Sequence, residues 1–214
     1  MKYLSEFIGT YFLVSVVIGS GIMAESISGG NTGIALLGNT IATGAILYVI
    51  INMFVSVSGA HFNPIVSFFF YLSKEIKLDI FLKYLFVQIV GAILAVFVTH
   101  YIFQIDIFQI SINNRGKMPL LVSEVIATSG LLLTIIFFSK YSKDSIATGV
   151  ALFITAGYWF TSSTSFANPA VTIARIFTNT FTGIDFNSAI YFICGQIIAV
   201  LFIHVIFLNL NKRK

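Results

Sequence analysis

Two segments carry the same few residue types at a fixed offset of 105 positions: Ser58-Gly59-Ala60-His61-Phe62-Asn63-Pro64 and Ser163-Thr164-Ser165-Phe166-Ala167-Asn168-Pro169. In each, the Asn is a strong cap for the free amides of a helix start, and the Pro suits the first turn, where no N–H partner is needed. The chemistry on offer is not covalent. A capped N-terminus carries about half an elementary positive charge, and an Asn side chain offers amide donors. Two such ends facing one point would accept neutral molecules with oxygen lone pairs and oppose cations and protons. Two carboxylates, Glu6 and Glu124, also sit in related settings, Ser5-Glu6-Phe7-Ile8-Gly9-Thr10 and Ser123-Glu124-Val125-Ile126-Ala127-Thr128. There is no Ser/His/Asp set, no His-Glu-x-x-His and no paired Asp in an apolar span, so neither an enzyme, nor a metal site, nor a cofactor is expected.

The elements that must position these residues belong in lipid. Of 214 residues, 57% are hydrophobic, 15% aromatic and only 9% charged, with a mean hydropathy of +0.97. Soluble domains carry roughly a quarter charged residues, so a soluble enzyme, a nucleic-acid module and a disordered tail are excluded. The net charge of +4 comes from single basic residues scattered between apolar spans, not from a patch for nucleic acid. Cys194 has no second cysteine to pair with and reads as a small packing residue in an apolar run.

Apolar spans fall near 4–24, 35–56, 81–103, 120–139, 145–162 and 187–209. Two leftovers, near 64–73 and 169–179, are too short to cross a hydrocarbon layer of about 30 Å and read as half-helices. The first span follows Met1-Lys2-Tyr3 without an evident cleavage site and is expected to be retained. An inside N-terminus puts Lys2, Lys74, Lys77, Lys83, Lys140, Lys143, Lys212, Arg213 and Lys214 in the cytoplasm, against Arg115, Lys117 and Arg175 outside. That asymmetry predicts a multi-pass protein of the cell membrane with both termini cytoplasmic.

The chain also repeats itself. Ile41-Ala42-Thr43-Gly44 returns as Ile146-Ala147-Thr148-Gly149 at the offset that separates the Asn-Pro pairs, and the Glu6 and Glu124 segments recur in the same order. Each unit, about 1–105 and 120–211, holds an odd number of spans, so the second enters the membrane from the opposite side. Residues 1–214 are expected to form one domain. Its two half-helices should meet by their N-termini near the midplane, in backbone that must line a path because unsatisfied amides in hydrocarbon cost several kcal/mol each.

With these motifs in place the sequence resembles the aquaporin or major intrinsic protein channels. The resemblance rests on Ser58 to Ser67, Phe166-Ala167-Asn168-Pro169-Ala170-Val171, Glu6-Phe7-Ile8-Gly9-Thr10, Gln88-Ile89-Val90-Gly91-Ala92 and Gln196. It implies an all-α membrane fold of six spans and two re-entrant half-helices, with a pore in each subunit of what is usually a homotetramer. The pore signatures would be Asn63-Pro64-Ile65, with Ile where the family usually has Ala, and Asn168-Pro169-Ala170. Family spacing places an outer selectivity filter at Thr43, Ala156, Ser165 and Val171, with Gly157 as a substitute for Ala156. Members that pass water or glycerol normally place Arg where Val171 stands, and glycerol facilitators an Asp where Thr172 stands.

Losing a guanidinium and two rings widens the constriction and removes a fixed positive charge, so single-file water selectivity should be lost. Val before Thr-Ile-Ala-Arg resembles the arsenic-resistance-linked bacterial branch, which implies glycerol-like polyols, arsenous acid, methylated arsenicals and water as solutes. Arg175, four residues past Val171, shares its face one turn further out; it either restores charge at the external vestibule or bonds loop carbonyls. The resemblance implies that Glu6 and Glu124 accept hydrogen bonds from the re-entrant loops, and that His61 lines or gates the cytoplasmic side of the pore. His100 and His204 read as helix-end packing or interface residues. The competing functions are a proton-coupled secondary transporter using Glu6 and Glu124, and a non-conducting structural member of the fold.

Overall fold

A computed structural model describes residues 1–116 and 118–212, apart from the side chains of 209–212. Lys117, Arg213 and Lys214, used above in the charge asymmetry, lie outside the described residues, as does the Lys212 side chain. The described residues form eight α-helices: α1 (Lys2–Ile27), α2 (Thr32–Ser58), α3 (Pro64–Leu72), α4 (Leu78–Ile102), α5 (Met118–Tyr141), α6 (Ile146–Phe160), α7 (Pro169–Ala174) and α8 (Phe186–Lys212).

Five of them, α1, α2, α4, α5 and α8, are long and apolar enough to cross a membrane. The span expected at 145–162 is shorter than the others. At 15 residues α6 rises only about 22 Å, and the 3₁₀ turn Lys143–Ser145 before it adds about 6 Å. Its far end is set by Thr161, which is already extended where the second re-entrant loop begins. The long helices run one to three residues beyond the apolar spans, except that α4 stops one residue short at its end. Leu4, Ile41, Phe86, Trp159 and Phe202 are exposed on outer faces, the pattern of helices that meet lipid and not water. This is a multi-pass membrane protein. Cys194 also lies exposed on α8, not packed as its apolar surroundings suggest.

The two halves pair their helices alike. α1 packs on α2 and α4 as α5 packs on α6 and α8; α3 sits against α4 and α8, α7 against α8 and α4; α2 and α6 join the halves. Close crossings depend on small residues, as membrane interfaces generally do. A Cβ on Gly91 would press on the Phe7 carbonyl, and one on Gly195 on the Leu121 carbonyl. Gly9 is tighter still, because a Cβ there would run into the ring of the buried Phe62. The Phe62 carbonyl accepts from the Asn168 side chain at 2.9 Å, so displacing the ring disturbs the centre of the molecule. Gly9→Val should therefore cost roughly 2 kcal/mol or more by overpacking, read as a lower thermal midpoint in detergent; a variant as stable as the parent would contradict this packing.

Candidate functional site

Each half-helix starts as its residues dictate. Asn63 and Asn168 are extended, their Oδ1 atoms accepting from Ile65 N at 2.9 Å and from Ala170 N at 3.0 Å, with Pro64 and Pro169 in the first turn. The Nδ2 groups cross between the halves: Asn63 donates to the Ala167 carbonyl at 2.7 Å and Asn168 to the Phe62 carbonyl at 2.9 Å. The two caps are thus held within hydrogen-bonding reach of each other's loops. One hydrogen of each side-chain amide is committed there, which leaves the second to face the space both residues line.

The loops before the caps have matching backbones. Gly59, Ala60 and Phe62 take positive φ, as do Thr164, Ser165 and Ala167, at the 105-residue offset. For the non-glycine residues that conformation costs of order 1–3 kcal/mol each and persists only where the surroundings impose it. Glu6 and Glu124 impose it. Glu6 accepts from Ser58 Oγ at 2.6 Å, His61 N at 3.0 Å, Phe62 N at 2.7 Å and Gln88 Nε2 at 2.8 Å. Glu124 accepts from Phe166 N at 2.9 Å, Ala167 N at 2.8 Å and Gln196 Nε2 at 2.7 Å. Gln88 also donates to Ser67 at 3.1 Å and Gln196 to Thr172 at 3.1 Å, tying each carboxylate to the half-helix it serves.

A cavity of about 390 Å³ runs past both caps. Its walls are period-four stripes: Thr43, Leu47, Ile51 and Val55 on α2; Leu131, Ile135 and Ser139 on α5; Ile146, Val150, Ile154 and Tyr158 on α6. One end holds His61, Glu75 and Ile76, the other Thr43, Tyr158, Ser165, Val171 and Arg175. His61 is buried, stacked on Phe70 with centroids 4.7 Å apart, its Nδ1 3.0 Å from Ser67 Oγ. Ile65 and Ala170, the third residues of the two signatures, are buried behind their caps and do not line the cavity.

Three of the four expected filter positions, Thr43, Ser165 and Val171, line the cavity. The fourth does not: Ala156 is exposed on the outside of α6. Gly157 is buried, but a Cβ there would meet Ser165, and the α6 side chain that reaches the cavity is Tyr158, whose hydroxyl lies 3.2 Å from Thr43 Oγ1. Counting back from Asn168 missed it. The four-residue stripe Ile146, Val150, Ile154 points to it, since the next member is 158. Ser165 Oγ is buried, lines the cavity and has no hydrogen-bond partner among the described residues.

Arg175 bonds a loop carbonyl and also lines the cavity. Its Nε donates to the Thr182 carbonyl, and its guanidinium lies 3.5 Å from the centroid of the Phe166 ring while lining the cavity. Arg115 donates to the Gly183 and Phe181 carbonyls at 2.8 and 2.9 Å, so three successive carbonyls of the loop before α8 rest on two guanidiniums. His100 bridges outer segments, with ring nitrogens 2.9 Å from the Ile107 carbonyl and 2.8 Å from Thr178 Oγ1, and His204 packs beside Phe69.

A helical membrane protein with one cavity threaded past two facing caps is, by class, a pore-forming protein. Comparison with known proteins agrees. Residues 1–145 match the family model described as Major intrinsic protein. The chain is 43% identical over 183 residues to Aquaglyceroporin AqpS of Rhizobium meliloti (strain 1021), which covers 86% of this chain and 78% of that protein. It is 30% identical over 191 residues to Aquaporin NIP2-3 of Zea mays, covering 86% of this chain and 62% of the maize protein. The X-ray structure of the aquaglyceroporin from Plasmodium falciparum shares the fold, with a TM-score of 0.77 at 20% identity, over 100% of this chain and 98% of that one. The chain belongs to the major intrinsic protein family.

Proposed function

We propose that residues 1–214 form one channel unit, not an enzyme, that passes small uncharged hydroxylated solutes down their gradients: glycerol-like polyols, arsenous acid and methylated arsenicals, and water. The observation that carries this reading is the cavity itself, which passes both asparagine caps and is lined by Thr43, Tyr158, Ser165 and Val171, without an Arg directly after the second Asn-Pro-Ala; we take these four residues as its constriction. A lining that holds the hydroxyls of Thr43, Tyr158 and Ser165 together with Val171 and the Phe166 ring suits a solute that has both oxygens and an apolar edge. Arsenic solutes rest on the resemblance of the Val171 to Arg175 stretch to the arsenic-linked branch. A homotetramer in the cell membrane with cytoplasmic termini follows the family pattern.

A proton-coupled carrier is disfavoured because the Glu6 and Glu124 oxygens are engaged by loop amides and glutamines and neither residue lines the cavity. A sealed structural member of the fold is disfavoured by the cavity. Proteoliposomes tested side by side with water, glycerol, urea and arsenite decide the matter: selective entry of the uncharged oxygen-bearing solutes supports the reading, and impermeability to all of them ends it. Tyr158→Phe leaves Thr43 Oγ1 on its Asn39 carbonyl at 2.8 Å, so the fold should hold. It removes one hydrogen-bonding group of the constriction, worth about 1 kcal/mol, and glycerol entry should fall by up to about five-fold. Unchanged glycerol entry would take Tyr158 out of the filter.

A further inference from the structure

The fixed charges that the cavity presents at its middle and outer end are positive: the capped amide ends at Asn63 and Asn168, and the Arg175 guanidinium. Such an interior opposes cations, but on its own it attracts anions. Beyond the cost of dehydrating any ion, a negative element along the path would oppose anions in turn. Glu6 and Glu124 do not supply one, since they face the loops and do not line the cavity.

Glu75 does line it, and among the described residues it is the sole carboxylate that does. The way α3 ends puts it there. Ser73 caps the helix, Lys74 turns to a φ of 62°, and Glu75 N donates back to the Phe70 carbonyl at 2.9 Å. The side chain then stands at the inner mouth with Ile76, Ser139 and Ile146, and no hydrogen bond or ion pair among the described residues engages its carboxylate. Lys74 and Lys77 beside it in sequence, and Lys140 next to Ser139, are exposed, and none of them lines the cavity.

We propose that Glu75 is the anion-excluding residue of the inner mouth, so that an ion of either sign meets a like charge at one end of the cavity. The proposal rests on the reading of the cavity as a conduit. Partial burial raises the Glu75 carboxyl above its ordinary pKa, and work near pH 8, about four units above the reference carboxylate value, keeps it ionised.

The test uses sealed proteoliposomes of the full chain loaded with a chloride-quenched dye, with chloride and glycerol entry read on the same preparation for the parent, Glu75→Asp, Glu75→Gln and Glu75→Lys. The chloride-to-glycerol ratio should rise by about ten-fold or more in Glu75→Gln and further in Glu75→Lys, while Glu75→Asp keeps the parent's ratio. Equal ratios in all four overturn the proposal. A parent that passes no glycerol defeats the conduit reading by itself. Chloride leak per inserted chain then still ranks the variants, and no rise in Glu75→Gln or Glu75→Lys overturns the proposal separately.

Discussion

Glu124→Ala should leave a chain that neither keeps its thermal stability nor conducts. The substitution strips hydrogen-bond acceptors from three buried donors, the amides of Phe166 and Ala167 and the side chain of Gln196. Each unsatisfied buried donor costs about 1–3 kcal/mol, so the sum is several kcal/mol. The left-handed backbone of Thr164, Ser165 and Ala167 then loses what imposes it, and the Ala167 carbonyl no longer stands where Asn63 can reach it at 2.7 Å. For a protein of this size the thermal midpoint in detergent should drop by about 10 °C or more. Glu124→Gln keeps one acceptor oxygen and should fall between the two. A Glu124→Ala protein as stable as the parent, still passing glycerol, would show that the loop is held by something else. A carrier that used Glu124 as its proton site would instead lose coupling with its stability intact.

Val171→Arg acts on selectivity. Val171 is buried on α7, lines the cavity, and precedes Arg175 by one turn on the same face. A guanidinium projecting from it would enter the space between Thr43, Tyr158 and Ser165 and add a second fixed cation close to Arg175. Glycerol entry should fall by about ten-fold or more relative to water entry, as width is lost and the positive charge beside Arg175 is doubled. Glycerol entry equal to the parent's would remove Val171 from the constriction.

Much of this was legible before any coordinates. Asn-Pro after a Ser-containing loop names a capped half-helix through local rules alone, and the 105-residue offset made the second copy legible from the first. The glutamates were legible as a pair, and their four and three bonds explain why a charge-bearing residue recurs within an apolar span. What distance along the chain could not give was rotation about a helix. Counting twelve residues back from Asn168 chose Ala156, but the turn at Thr161–Thr164 sets how α6 meets its loop, and Tyr158 faces inward instead. Glu75 escaped notice for a similar reason: its position depends on a left-handed Lys74, a residue type that gives no sign of it. The 15-residue α6 was overestimated because Ser145 before it and Thr161 and Ser162 after it carry no charge to mark its ends.

The central claim is that two oppositely entering caps meet to form a passive conduit. Glycerol entry into proteoliposomes, followed over a wide range of concentration with and without an imposed proton gradient, tests it most directly. Passive conduction predicts an entry rate that rises in proportion to concentration and ignores the proton gradient. A rate that saturates, or that the proton gradient drives, would contradict it.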